Sequence, residues 1–104
     1  MTPLEILIAA RALIEAPARW TKGSFARDAD GGAYPGKGKE VCWCFAGAIF
    51  KAANNDADGI AAERFITNVT GISNIRRFND HPTTTHADVL AVFDRAIERA
   101  RADG

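Results

Sequence analysis

Apolar positions recur along the chain at spacings that predict a mainly α, compact bundle of about four helices. The first stripe runs Leu4, Leu7, Ile8, Ile14, widened by Ile6, Ala10 and Leu13, and predicts a helix over residues 3–16. Thr2 is placed to cap it, Pro3 suits the first helical position and Glu5 completes a capping box. Pro17 ends it, because proline cannot continue the hydrogen-bond ladder.

The run from Trp43 to Ala53 is nearly apolar on every side and predicts a central buried helix over 43–53. Ala46, Gly47 and Ala48 would let a neighbouring helix come close. A third helix is expected over 57–70, with Ala61, Ala62, Phe65, Ile66 and Val69 lining one side. Gly71 follows as a left-handed stop, with Ile72 folding back onto the helix. A short helix over 73–78 precedes the last, over 86–102. There Thr85 and Asp88 form another capping box, and Val89, Phe93, Ala96, Ile97 and Ala100 make a continuous stripe. Arg95, Glu98, Arg99 and Arg101 fall on the water-facing side, and the late arginines oppose the helix dipole.

Residues 17–41 break this pattern. Five of the nine glycines lie between Gly23 and Gly38. A structureless loop of that length is rare inside a small domain, so a short β-hairpin is expected. Its strands would be Phe25–Ala29 and Gly32–Tyr34, joined by Asp30-Gly31 as a two-residue turn. Pro35 to Glu40 would form a mobile surface loop.

At 104 residues, 47% hydrophobic and 25% charged, the chain has the makeup of one globular domain. Basic and acidic residues number 13 each, so no basic surplus exists to neutralise phosphates, which argues against nucleic acid as a partner. No segment approaches the ~18–20 apolar residues of a membrane span. The amino-terminal stretch lacks a basic leader and cleavage site, so a cytoplasmic location with reduced thiols is expected.

Several groups have the residue types of a chemical site. Cys42 and Cys44, with His81 and His86, are zinc-ligand types, but one residue between the thiols is closer than the usual knuckle spacing. The expected reading of Cys44 is instead a small core residue of the central helix, since free cysteine is commonly buried, and no metal or cofactor is expected. Asn54 to Gly59 matches the first half of a calcium loop, but Phe65 stands where the bidentate glutamate belongs. Cys44 paired with His86 would be the arrangement of a cysteine-dependent hydrolase or transferase. The remaining candidates are Trp20, Arg27, Asp28, Asn79, Asp80 and His86, all in or beside loops. Polar groups on loops carried by a helical scaffold are common binding residues. They also brace turns: Arg27 could pair with Asp28 or Asp80 or stack on Tyr34, and both readings stand on sequence grounds.

These motifs occur in a fixed order. Trp20, Phe25-Ala26-Arg27-Asp28, Trp43-Cys44 with Gly47-Ala48-Ile49, Phe78-Asn79-Asp80, and Thr85-His86 with Asp88-Val89 run from the first helix to the last. Together they resemble a small domain family of unknown function found across bacteria and their phages. The resemblance implies a small, mainly helical domain and assigns no activity, cofactor or catalytic residue. It also implies that the cysteine at Cys44 is the usual one, that Cys42 is extra, and that the six polar positions recur. From it follows the expectation of a non-catalytic accessory binding protein. Such a protein would inhibit a host factor or sequester a small anionic ligand. The alternatives are a cysteine enzyme using Cys44 and His86, and a structural domain whose apolar central helix mediates a homo-oligomer.

Overall fold

A computed structural model describes residues 1–103. Helix α1 spans Pro3–Leu13, followed by a 3-10 turn at Pro17–Arg19. Two short strands, β1 (Ala26–Arg27) and β2 (Cys42–Trp43), precede α2 (Phe45–Ala52), α3 (Asp56–Thr70), α4 (Ile75–Asp80) and α5 (His86–Asp103). The domain is mainly helical, with a small antiparallel sheet between the first two helices, as the apolar pattern predicts.

Helix α2 is the hub. It packs on α1, α3 and α4, while α1 and α3 also pack on each other and on α5. Its residues Phe45, Ala46, Ala48 and Ile49 are wholly buried. The Phe45 ring lies against Phe93 of α5, with centroids 4.5 Å apart, and edge-on to Phe78 of α4 at 6.3 Å. Aromatic pairs at these separations add stabilisation beyond their buried area. From α5, Val89, Phe93, Ala96 and Ile97 enter the core as expected, joined by Val92.

The predicted caps form. Glu5 N–H donates to Thr2 Oγ1 and Thr2 N–H to Glu5 Oε1. The reciprocal pair at Thr85 and Asp88 is also present. Gly71 ends α3 with φ of +77°, the left-handed conformation glycine adopts without strain.

Several boundaries differ from the expected ones. Helix α1 stops at Leu13, not residue 16, because Ile14 and Glu15 N–H turn to the carbonyls three residues back. Helix α3 begins at Asp56 and exposes Ala61, so its buried line is Gly59, Ala62 and Ile66. Helix α4 lies two residues later than expected, because Asn74 is its cap. The central helix starts at Phe45 rather than Trp43. Cys42 and Trp43 are held extended by pairing with Arg27 and Ala26, which leaves Cys44 as the cap.

The hairpin also takes another form. Phe25–Ala29 and Gly32–Tyr34 meet only at a single bridge, Arg27 to Ala33. Gly31 N–H donates to Asp28 O, and Asp28 N–H to Gly32 O. The loop is therefore three residues, Ala29-Asp30-Gly31, with left-handed Gly31 (φ +83°) as its last member. The real ladder partner of β1 is β2, and Trp20 flanks β2 on its other side.

Gly47 serves a close approach, but not to a helix. A Cβ there would lie 2.0 Å from the carbonyl oxygen of Phe25. The segment leading into β1 therefore rests directly on the α2 backbone.

Two substitutions test this packing. Phe93→Ala is expected to cost about 3–5 kcal/mol, a large share of the roughly 5–15 kcal/mol a domain holds. Gly47→Ala should cost about 1–3 kcal/mol by overpacking and detach the segment before β1. Urea unfolding of both variants checks the magnitudes, and amide exchange at Phe25 to Arg27 checks the location of the second effect.

Candidate functional site

Asn79, in the last turn of α4, is fully buried (0% exposed) and uses its whole carboxamide. Its Oδ1 accepts from the Trp20 indole N–H at 2.6 Å and from Phe45 N–H at 3.1 Å. Its Nδ2 donates to Thr21 O at 3.1 Å and to Asp80 Oδ1 at 2.9 Å. Phe45 N–H is one of the first-turn donors that no helix satisfies internally, so Asn79 completes the start of α2 from another element. Asp80 Oδ1 also accepts from Gly23 N–H at 3.0 Å, and Lys22 Nζ donates to His81 O at 2.7 Å. Residues 20–23 are thereby stitched to the end of α4.

Arg27 faces the same segment from β1. Its Nε donates to Thr21 Oγ1 (3.0 Å), Nη1 to Gly31 O (3.1 Å) and Nη2 to Lys22 O (3.0 Å). It neither pairs with Asp28 or Asp80 nor stacks on Tyr34; its partners are one hydroxyl and two carbonyls. Asp28 turns instead into its own loop, where Oδ1 accepts from Asp30 N–H at 2.9 Å and Gly32 N–H at 2.8 Å. His86 Nε2–H donates to Ile14 O at 2.6 Å, which satisfies a carbonyl at the end of α1 and fixes the tautomer. The Trp20 and His86 rings lie 5.8 Å apart. Trp20, Asn79, Asp80 and His86 thus form one connected group, Arg27 joins it through Thr21 and Lys22, and Asp28 stands apart.

An open cleft of about 220 Å³ lies beside this network, lined by Gly23, Ser24, Phe25, Tyr34, Cys44, Arg76 and Asp80. Arg76 lies over the Phe25 ring, 4.5 Å from its centroid. Among the described residues its guanidinium has no hydrogen-bond or ion-pair partner. Tyr34 is 79% exposed and has φ of +52°. That conformation is strained for a bulky residue, and such strain clusters at binding and switch regions.

Cys44, at 4% exposed, closes the floor of the cleft. Its Sγ accepts from Gly47 N–H at 3.3 Å, which makes it the side-chain cap of α2. Burial pushes its thiol pKa up, and the amide hydrogen bonds only partly oppose this. His86 does not line the cleft; its Nε2 is taken up by Ile14 O and Cys44 Sγ accepts from Gly47 N–H, so the two are not hydrogen-bonded to each other. His81 is exposed and its Nδ1 meets Thr83. Among the described residues no three His, Cys, Asp or Glu side chains converge as metal ligands. Asn55 and Asp58, in the half-matching calcium loop, make the amino-terminal cap of α3.

Sequence reasoning did not single out Arg76 as a cleft residue, and it named Tyr34 only as a stacking surface for Arg27. The available signal was Arg76-Arg77 in the first turn after the cap Asn74, two adjacent cations on a six-residue helix.

Removing the network should be costly at Asn79. Asn79→Ala strands the Phe45 and Trp20 N–H groups, and each unsatisfied buried donor costs about 1–3 kcal/mol. Arg27→Ala should lower stability by about 1–3 kcal/mol through its three lost hydrogen bonds. Denaturation midpoints of the two variants check both values, and quenched-to-exposed Trp20 fluorescence should accompany the first.

No curated protein and no solved structure matches the chain. One family model does, over residues 1–99, which is nearly the whole fold described above. The chain belongs to the family of unknown function DUF6197.

Proposed function

We propose that this protein is a non-catalytic binding module, an accessory protein that captures an anionic group of a host factor or small ligand in the cleft beside α2. The observation that supports this most is Arg76: an exposed guanidinium, stacked on Phe25 and without a polar partner among the described residues, at the rim of a cleft. Arginine held by an aromatic face is preorganised for anion recognition, and arginine with aromatic residues is the usual composition of binding hot spots. Asp80 also lines the cleft, where its Oδ1 accepts from Gly23 N–H and Asn79 Nδ2 and so braces the wall instead of meeting the anion. Trp20, Arg27, Asn79 and His86 hold the segment that forms its wall, and Asp28 shapes the loop next to it. The small, stoichiometric role fits a phage-type inhibitor or sequesterer working in a reducing cytoplasm, where both free cysteines persist.

A cysteine hydrolase or transferase is the weaker reading. The thiolate is the nucleophile, and burial raises the Cys44 pKa instead of lowering it. The role of Cys44 as a cap also accounts for its place without chemistry.

The test is an amide-shift titration of the labelled protein with inorganic phosphate, a mononucleotide and an acetylated acidic peptide. At least one should give saturable shifts at residues 23–25, 34, 44–47 and 76–80. Arg76→Ala should abolish them while keeping its melting temperature, because an exposed guanidinium contributes little to stability. Shifts absent with every probe, or unaltered in the variant, would refute the proposal.

Cys44 gives a separate expectation. Native protein should resist iodoacetamide at neutral pH and react fully in denaturant. Its raised folded pKa means that the unfolded thiol ionises first as pH climbs past about 8.5. The unfolded state then holds fewer protons, so stability falls with rising pH in that window. Cys44→Ser keeps a side-chain cap and should show a smaller loss of melting temperature between pH 8 and pH 10.

A further inference from the structure

The second cleft of interest lies between α3 and the start of α4 and encloses about 460 Å³. Ile60, Glu63, Arg64 and Thr67 line it from α3 at i, i+3, i+4 and i+7, which places them on one helix face. Asn74 and Arg76 line it from the other side.

Glu63 is half-buried, and its carboxylate has no hydrogen bond or ion pair among the described residues. The Arg76 charge acts on it, yet the two groups stop short of ion-pair distance. The Arg76 guanidinium lies over the Phe25 ring, and Asn74 caps the helix that carries it. Burial pushes the Glu63 pKa up, as for a charge that has lost water without gaining a partner. Ile60, 42% exposed, supplies an apolar wall. Opposite free charges facing across a groove complement a molecule with an ammonium at one end and a carboxylate at the other.

We propose that the α3–α4 groove binds a small dipolar molecule, an amino acid or short peptide with free termini, its ammonium on Glu63 and its carboxylate on Arg76 and Arg64. This site is distinct from the anion cleft and shares only Arg76 with it.

The test is an amide-shift titration of the full chain with leucine and with tri-alanine, which separate a free amino acid from a peptide source. At least one should bind saturably and shift residues 60–68 and 73–76. Acetylating its amine or amidating its carboxylate should each weaken binding by about tenfold or more. Glu63→Gln, nearly isosteric, should bind the free and acetylated forms equally. It should leave any phosphate, mononucleotide or acidic-peptide response at residues 23–25 and 44–47 unchanged, so the two sites fail independently. The proposal is overturned if neither leucine nor tri-alanine binds at millimolar concentration. It is equally overturned if the blocked forms bind as well as the free ones, or if Glu63→Gln binds tri-alanine and leucine as wild type does.

Discussion

The carboxamide of Asn79 is the constraint from which the rest of the loop face follows. It sits in a fully buried position and satisfies donors and acceptors on two other segments at once, residues 20–21 and the start of α2. Only an amide has both an acceptor oxygen and a two-proton donor on one short side chain. A carboxylate would lose the donors to Thr21 and Asp80; an aliphatic side chain would strand Trp20 and Phe45 N–H. Through that one oxygen the first turn of α2 and the 20–23 segment are both tied to the end of α4.

The α2 backbone imposes the second constraint. Gly47 lets the Phe25 carbonyl reach it, and Cys44 N–H donates to the same carbonyl at 3.0 Å. Phe25 is thereby pinned, and its ring becomes a fixed platform for Arg76. The cleft is thus bordered by packing: a polar network holds residues 20–23 beside it, and the contact at Gly47 seats Phe25 on α2.

Within this frame the charged side chains divide into two kinds. Arg27 and Asp28 have their hydrogen-bonding capacity taken up by loop carbonyls and amides. Among the described residues, the Arg76 and Glu63 side chains have none of it taken up. Groups already satisfied by the fold gain little from a ligand, whereas free ones gain a partner, which is why the proposed binding roles centre on the second pair.

Local rules were enough for much of this molecule. Apolar periodicity located the helices, and the capping boxes at Thr2 and Thr85 and the stop at Gly71 are legible because each is settled by residues within a few positions in the chain. The six polar candidates were also visible as loop residues, and four of them do converge. What they touch was not visible. Asn79 to Trp20 spans 59 positions and His86 to Ile14 spans 72, and no local pattern specifies such pairings. The sheet failed for the same reason: Asp-Gly pointed to the nearby strand, but β1 pairs across the loop with Cys42–Trp43, which moves the helix start to Phe45. Likewise, the sequence shows thirteen basic residues of equal formal charge. Only the tertiary structure decides that Arg27 is hydrogen-bonded and that Arg76 has no polar partner among the described residues, because such engagement depends on carbonyls and hydroxyls brought near by the packing of other elements.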